Sequence, residues 1–405
     1  MTAPFSVQPP ESALRPLDGI TVVSLEHAIA APFATRQLAD LGARVIKVER
    51  PGVGDFARAY DDRVNGMASH FVWCNRSKES LAIDLKHPDA RGILHDLVSK
   101  ADVLVQNLAP GAAARLGLSA EALRADCPHL IVCDISGYGS DGPYRDRKAY
   151  DLLIQSEAGF LSVTGTPDEQ AKAGISIADI AAGMYAYSGI LSALLMRERT
   201  GQGSHIEVSM LEALGEWMGF PLYYTYGGKE PPPRTGASHA TIFPYGPFPT
   251  GDGKTVMLGL QNEREWAIFC EKVLHQPALA QDERFVSNVL RVRNRDALTE
   301  IIVASFAASN AEAITMQLDE AGIANARVRT MAEVWDHPQL QARGRWTEIT
   351  TPAGQVPALL PPAFPNGMEP RMDPVPALGA HNISILTELG LDEAQIAALR
   401  EAGAI

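Results

Sequence analysis

Residues 21–55 read TVVSLEHAIAAPFATRQLADLGARVIKVERPGVGD, and this stretch decides the fold. Thr21-Val22-Val23-Ser24-Leu25 is short and β-branched, the pattern of a buried strand. The small residues Ala28, Ala30 and Ala31 follow, then Pro32, which suits the first turn of a helix because the N–H it lacks has no intrahelical partner there. Phe33, Leu38 and Leu41 recur at helical spacing, Gly42 ends the helix, and residues 43–49 (ARVIKVE) form a second strand. Strand, helix and strand make a β-α-β unit, whose crossover sets the two strands parallel. The first loop, His27-Ala28-Ile29-Ala30-Ala31, lacks the G-x-G-x-x-G of a dinucleotide site. Glu49 is available at the end of the second strand, but without that loop a nicotinamide dehydrogenase is disfavoured.

Working outward, the alternation continues. A strand is expected over residues 81–85, a helix over 88–100 with Ile93, Leu94, Leu97 and Val98 on one face, a strand over 103–105, a short helix over 110–116 and a strand over 130–135. This argues a doubly wound α/β domain. Residues 178–199 read as a long helix dense in small side chains, stopped by Thr200-Gly201-Gln202-Gly203, with a strand at 204–209 and a second long helix at 211–226. Gly227 to Pro233 is a linker, after which a smaller unit is expected: a strand at 255–260 and helices at 263–273 and 294–308. Residues 350–382 are too rich in proline for regular structure and read as an extended strap before a terminal helix at 383–404.

Composition narrows the function. The net charge of −13 argues against a nucleic-acid partner. Cys74, Cys127, Cys133 and Cys270 form no C-x-x-C pair, so neither a disulfide framework nor a zinc cluster is expected, and a reducing cytoplasm fits. Residues 1–16 read as a loose arm without the charged and apolar segments of a secretion signal, and no apolar run reaches the roughly 20 residues of a membrane helix. There is no H-x-x-x-H pair and no G-x-S-x-G elbow. What the chain offers instead is a set of cations and amides at predicted strand ends: Arg50, Asn75, Arg76, Lys78, Asn107 and Arg115. Open α/β sheets bind ligands there, and such a set suits a phosphorylated ligand or, equally, a solvated charged rim. Three carboxylates stand apart, Asp168 in a Gly/Pro turn, Asp151 after Tyr150, and Asp179 in the first turn of the long helix, each of which could also cap backbone.

Taken in order, these fragments resemble the class III CoA-transferases, the family of formyl-CoA transferase, carnitine CoA-transferase and the related α-methylacyl-CoA racemases. The resemblance rests on residues 16–19 (PLDG), 31–34 (APFA), 41–51 (LGARVIKVERP), Gly54-Asp55, Asn75-Arg76-Ser77-Lys78, Asn107 with Pro110-Gly111, Ser136-Gly137-Tyr138-Gly139, Tyr150-Asp151, Thr164-Gly165 and residues 200–203 (TGQG). It implies a Rossmann-like large domain built from both chain ends (residues 1–220 and 340–405), an inserted small α+β domain (228–330), linkers at 221–227 and 331–339, and an interlocked homodimer. It also implies that His27, Ile29 and Ala30 line the thioester arm of CoA. Arg50, Lys78 and Arg115 would meet the adenine and phosphate end, with Asn75, Asn107, Leu108, Leu116, Ser136 and Tyr138 in the same CoA site.

By the same resemblance Asp168 matches the transferase nucleophile, which would carry CoA as an aspartyl thioester. Residues 234–241, with His239, match a loop that covers the site. A racemase of the family would use a His where Tyr150 stands, together with Asp179, so the missing His favours transfer. Arg327 would hold a second acidic group of the substrate. The pattern looks closest to members that take CoA from succinyl-CoA and give it to a dicarboxylate or to a sulfinate such as 3-sulfinopropionate. CoA thioesters are then substrates, with no tightly bound cofactor and no metal. A 2-methylacyl-CoA racemase and a non-catalytic acyl-CoA binding protein are the alternatives.

Overall fold

The computed structural model describes residues 15–405, so the arm expected over residues 1–16 lies almost wholly outside the described residues. The chain forms two compact units. The first takes residues through Ala158, Gly174–Met218 and Leu340–Ile405; the second takes Gly159–Ala173 and Gly219–Gln339.

The first unit is built on a six-stranded sheet of β1 (Thr21–Leu25), β2 (Arg44–Glu49), β3 (Lys78–Ala82), β4 (Val103–Gln106), β5 (Ile131–Ser136) and β6 (His205–Ser209). The spatial order is β3-β2-β1-β4-β5-β6 and every pairing is parallel. That is the Rossmann order, with its switch point between β1 and β4, where open α/β sheets hold ligands beyond the strand C-termini. Alternate strand residues face opposite layers. Val23, Leu25, Ile46, Val48, Leu104 and Val132 face a core shared with Ile93, Leu94, Leu97 and Val98 of the helix Pro88–Ser99 and with Ile385, Leu386, Ile396 and Leu399 near the C-terminus. On another side α1 (Ala30–Asp40) packs against the long helix Ile177–Thr200.

The C-terminal return also closes an open edge. Asn382 accepts the Ala82 N–H and donates to the Ala82 carbonyl, and His381 Nδ1 accepts the Ser80 N–H, so β3 meets side chains where a sheet edge would otherwise stay unpaired.

The second unit has an antiparallel sheet of β7 (Tyr245–Pro249), β8 (Thr255–Gly259) and β9 (Ala324–Arg327). Its core is aromatic, with Phe248, Trp266, Phe269, Phe285 and Phe306 buried together.

Several expectations are corrected. The third strand starts at Lys78 rather than 81, because its register pairs Lys78 with Val45 and Glu79 with Ile46 of β2. The helix expected over 211–226 is two pieces, Met210–Trp217 and Gly219–Tyr224. The proline-rich strap opens as a hairpin of β10 (Trp346–Thr351) and β11 (Gly354–Leu359); Pro357 is accommodated because β11 is an edge strand. Residues 159–173, expected in the large domain, group with the second unit. There the Gly165 carbonyl accepts the Gly236 N–H, and Arg234 donates to the carbonyls of Thr166 and Pro167.

Candidate active site

The loop after β1 lies at the switch point and is held from several sides. Asn107, one residue past β4, brackets His27: its Oδ1 accepts the His27 N–H at 2.8 Å and its Nδ2 donates to the His27 carbonyl at 2.9 Å. Ala28 has φ of +62°, a left-handed conformation that L-residues other than glycine adopt at a cost of about 1–3 kcal/mol. Its N–H donates to Asp55 Oδ1. No described side chain caps the N-terminus of α1, so the N–H groups beside Ile29 and Ala30 form a partly positive helix end.

Beneath the loop is a buried ionic cluster. The side chains of Glu26, Lys47, Asp55 and Lys78 are all fully buried. Lys78 Nζ donates to Glu26 Oε1 at 2.6 Å, Lys47 Nζ lies 3.2 Å from the same oxygen and 2.8 Å from Asp55 Oδ2, and Thr35 donates to Glu26 Oε2. Burial opposes ionisation of Glu26 and Asp55, but the lysines outweigh it and hold both carboxyls below the usual range. Burial also presses on the lysines. Lys78 is pushed down to about 8 against the pull of Glu26, whereas Glu26, Asp55 and Glu49 together raise Lys47.

The long helix brings a further carboxyl to this loop. Gly183 sits so close to α1 that a Cβ there would meet the Ala30 carbonyl oxygen at 2.7 Å. Asp179 lies one turn earlier on the same helix face. The N–H groups of Ala178 and Asp179 donate to Asp151 Oδ1, and Gln155 donates to Asp151 Oδ2, so Asp151 caps the long helix from a neighbouring one. Burial, then the adjacent Asp151 charge, pushes the Asp179 carboxyl up to about 7. Tyr60 is likewise pushed up to about 12 by burial and by the charges of Asp55 and Asp179. The arrangement offers a basic carboxyl and an uncapped helix N-terminus in the same unit, parts that suit acyl transfer.

The sequence profile of CoA-transferase family III matches residues 17–382. The chain belongs to the family III CoA-transferases. It is similar to a succinyl-CoA:glutarate CoA-transferase of Mus musculus, 35% identical over 399 residues, covering 97% of this chain and 91% of that relative. It is similar also to a succinyl-CoA–D-citramalate CoA-transferase of Chloroflexus aurantiacus, 34% identical and covering 95% of this chain and 97% of the relative. The crystal structure of a CaiB/BaiF family protein from Brucella suis superposes with a TM-score of 0.81 at 35% identity, covering 93% of this chain and 99% of that one.

As a family III CoA-transferase the chain acts on CoA thioesters, and the expected CoA residues fall into two groups. Arg50 and Arg115 are exposed cations, Leu108 and Leu116 are half-buried against the first unit's core, and His27 and Asn107 are partly exposed at the switch point. Ile29 and Ala30 are buried at the start of α1 and can offer only backbone. Ser136 Oγ accepts the Gly139 N–H, and Tyr138 packs edge-on against Tyr144. Lys78 and Asn75 are corrections. Both are buried, Lys78 is spent on Glu26, the Pro32 carbonyl and Asn75 Oδ1, and Asn75 Nδ2 donates to the Phe71 carbonyl, so neither faces a phosphate. Arg76 has the same fate, paired with Asp40.

Among the remaining candidates, Tyr150 is 65% exposed. Within the second unit Asp168 is exposed in its turn and Arg327 is exposed at the end of β9. His239 stacks on Tyr245, and its Nδ1 accepts the N–H groups of Thr241 and Ile242, so that edge of the ring organises the 234–241 loop. A cavity of about 420 Å³ lies between this loop, at Gly236 and Ala237, and the 164–171 turn. Among the described residues no group of three His, Cys, Asp or Glu side chains could hold a metal ion.

Asp55 and Glu26, which lie beneath the loop after β1, are residues that sequence reasoning missed. One signal was present: Lys47 sits inside Val45-Ile46-Lys47-Val48, and a lysine within a fully buried strand requires a buried acid nearby.

Proposed function

We propose that this enzyme moves CoA from succinyl-CoA, or a similar acyl-CoA, to a short dicarboxylate or sulfinate acceptor such as glutarate, citramalate, mesaconate, itaconate or 3-sulfinopropionate. The carboxylate that carries CoA in this reading is Asp179 rather than Asp168. The observation that supports it is the Asp179 carboxyl, pushed up to about 7 on the helix that Gly183 packs against the start of α1. An ionised carboxylate is a weak nucleophile, and one made more basic by its surroundings is a better one while still being substantially ionised near pH 7. Asp168, exposed in its turn, has no such setting.

The steps follow from those positions. An Asp179 oxygen attacks the succinyl thioester carbon, and the developing oxyanion is met by the N–H groups near Ile29 and Ala30. The C–S bond breaks, giving a succinyl–aspartyl anhydride and CoA thiolate. The thiolate attacks the Asp179 carbonyl carbon, the C–O bond breaks, and succinate leaves the aspartyl-CoA thioester behind. The acceptor carboxylate then repeats the sequence in reverse, ending on the acceptor's thioester with Asp179 restored. Asp151, which holds the Asp179 backbone and raises its basicity, supports the nucleophile without reacting. Arg50 and Arg115 are the proposed cations for CoA phosphates, and Arg327 the cation for the acceptor's distal acid group. The relatives named for glutarate and citramalate support a dicarboxylate acceptor.

A homodimer, interlocked as in the resemblance drawn from the sequence, completes the proposal. It is supported by large exposed apolar side chains, Leu195 and Met196 in the first unit and Leu222, Tyr223 and Tyr226 in the second.

The 2-methylacyl-CoA racemase is the second reading, because a carboxyl with a value near 7 also suits proton exchange. Incubation with succinyl-CoA followed by intact-mass analysis and hydroxylamine trapping separates the two. An adduct on the peptide containing Asp179, lost in Asp179→Asn and kept in Asp168→Asn, is the expected result. Deuterium entering the α-position of a 2-methylacyl-CoA with no adduct would move the assignment to racemisation, and an adduct on Asp168 would return it to that residue.

A further inference from the structure

We propose that Asp55 is the positioning residue of the thioester-arm loop: it holds Ala28 in its left-handed conformation and fixes the His27 ring, so that the loop is assembled before CoA binds. The proposal rests on the expectation, drawn from the resemblance, that His27, Ile29 and Ala30 line the thioester arm of CoA.

Asp55 reaches four groups on three segments. Its Oδ1 accepts the N–H of Ala28 at 3.1 Å and that of Ala57 at 2.9 Å, and lies 3.8 Å from His27 Nδ1. Its Oδ2 takes the Lys47 ammonium at 2.8 Å. The Ala28 contact falls at the residue that needs help, since φ there is +62°. An alanine stays in that region only where its surroundings over-determine it. Here Asn107 grips the residue before, α1 starts after it, and Asp55 takes its N–H.

The His27 ring shows the same direction of control. Nδ1 is buried and has no hydrogen-bond partner within reach, and the closest acid faces it from 3.8 Å. Phe56, the residue after Asp55, stacks on the ring at 5.1 Å and 21°. Between Phe56 on one face and Asp55 at its Nδ1 edge, the ring is held in one orientation with its Nε2 edge left to meet the pantetheine arm. The charge of Asp55 is balanced at Lys47, so the carboxylate stays ionised while its other oxygen serves the loop. This explains why the Gly54-Asp55 turn, remote from β1 in sequence, belongs to the site.

The test uses the full-length enzyme and compares Asp55→Asn, Asp55→Glu, His27→Ala, Ala28→Gly and the doubles Asp55→Asn/Ala28→Gly and Asp55→Asn/His27→Ala. Calorimetric affinity for CoA, kcat and KM for succinyl-CoA, and the thermal midpoint are read for each. Expected are a ten-fold or greater loss of CoA affinity in Asp55→Asn, a recovery of at least three-fold when Ala28→Gly is added, and near-native affinity for Ala28→Gly alone. Glycine takes a positive φ without help, so this rescue reports loop conformation rather than general stability. In the His27→Ala background Asp55→Asn should weaken CoA binding less than it does in the native chain. Should Asp55→Asn fail to fold, Asp55→Glu keeps the charge against Lys47 but displaces the oxygen from the loop, and it should lose CoA affinity at a near-native thermal midpoint. Full CoA affinity in a folded Asp55 variant, no rescue by glycine, or losses that simply multiply with His27→Ala would overturn the proposal. CoA affinity decides the matter whatever the acyl chemistry, so a native enzyme that binds CoA but transfers none from succinyl-CoA would refute the substrate reading alone.

Discussion

In the proposed mechanism the carboxyl of Asp179 would tie activity to stability within one residue. Its folded value, about 7, lies above the ordinary 3.8, so the native state holds this proton more tightly than the unfolded chain does. The associated stability is complete below about pH 4 and is lost as pH rises to about 7, a tenfold difference in proton affinity being worth about 1.4 kcal/mol. Asp179→Asn carries no such proton. Its thermal midpoint should therefore rise relative to the native enzyme as pH climbs from 4 to 7, then stay level, with a gain on the order of a few kcal/mol at most. The same variant should lose at least 10³-fold in kcat, and kcat/KM of the native enzyme should climb with pH to a plateau just above 7. The same native-to-variant difference in thermal midpoint at pH 5 and pH 8 would show that the carboxyl is not raised. Local sequence could not rank the three aspartates. Asp168, Asp151 and Asp179 all sit where a carboxylate can cap backbone, and what separates them is the packing of the long helix on α1 through Gly183, a contact between residues some 150 positions apart. Lys78 and Asn75 are misplaced by sequence for a related reason: a cation near a strand end reads as ligand-facing until the buried acid, Glu26, is seen beside it.

At the scale of elements, two glycines in helices make opposite predictions. Gly92, in the helix Pro88–Ser99, has open space where a Cβ would go, so Gly92→Ala should stabilise by about 0.5–1 kcal/mol through helix propensity. Gly183 has the Ala30 carbonyl oxygen at 2.7 Å from that position, backbone that cannot turn aside. Gly183→Ala should destabilise by about 1–3 kcal/mol in urea unfolding and weaken kcat further, because it pushes the long helix off the loop. A stabilised Gly183→Ala would mean the two helices part easily. The ionic cluster under the loop gives a second test. Removing one partner of a buried pair leaves a charge without compensation, so Glu26→Gln should cost about 3–5 kcal/mol at pH 7. Glu26 is held below its ordinary 4.5, so its stabilisation is present above that value and is lost as pH falls further. The variant should therefore approach the native enzyme in stability as the pH drops below about 4. The elements themselves are largely legible: the β-branched runs at 21–25, 44–49 and 103–106 announce buried parallel strands. The strand at 78–82 escapes at its start because Lys78 and Glu79 look like loop, yet β2 draws both into the ladder.

At the scale of the whole molecule, the Rossmann order could be anticipated from the alternation of strand and helix, whereas the grouping of residues 159–173 with the second unit could not. That grouping is accompanied by hydrogen bonds from the Gly236 N–H and the Arg234 side chain to its carbonyls, and no periodicity encodes such bonds. Assembly is the remaining question at this scale. Among the described residues the helix Ile177–Thr200 is long and apolar enough to cross a membrane, with a mean hydropathy of 1.3, but nearly half of that apolar window, 44%, is buried inside the protein. Leu195 and Met196 stay exposed on it at 59% and 56%, as do Tyr223 and Tyr226 at 82% and 77% in the second unit. Water-exposed side chains of this kind are stabilised by a second copy, and an interlocked pair adds a kinetic signature that an ordinary dimer lacks. Native mass spectrometry should give twice the 43.6 kDa chain mass. Mixing two isotopically labelled preparations should then yield no mixed dimer over hours at 25 °C, because interlocked chains separate only by unfolding, while refolding the mixture from denaturant should yield mixed and parental dimers together. Rapid exchange without denaturant would leave a dimer of ordinary facing surfaces, and a 43.6 kDa species at micromolar concentration would refute the dimer itself.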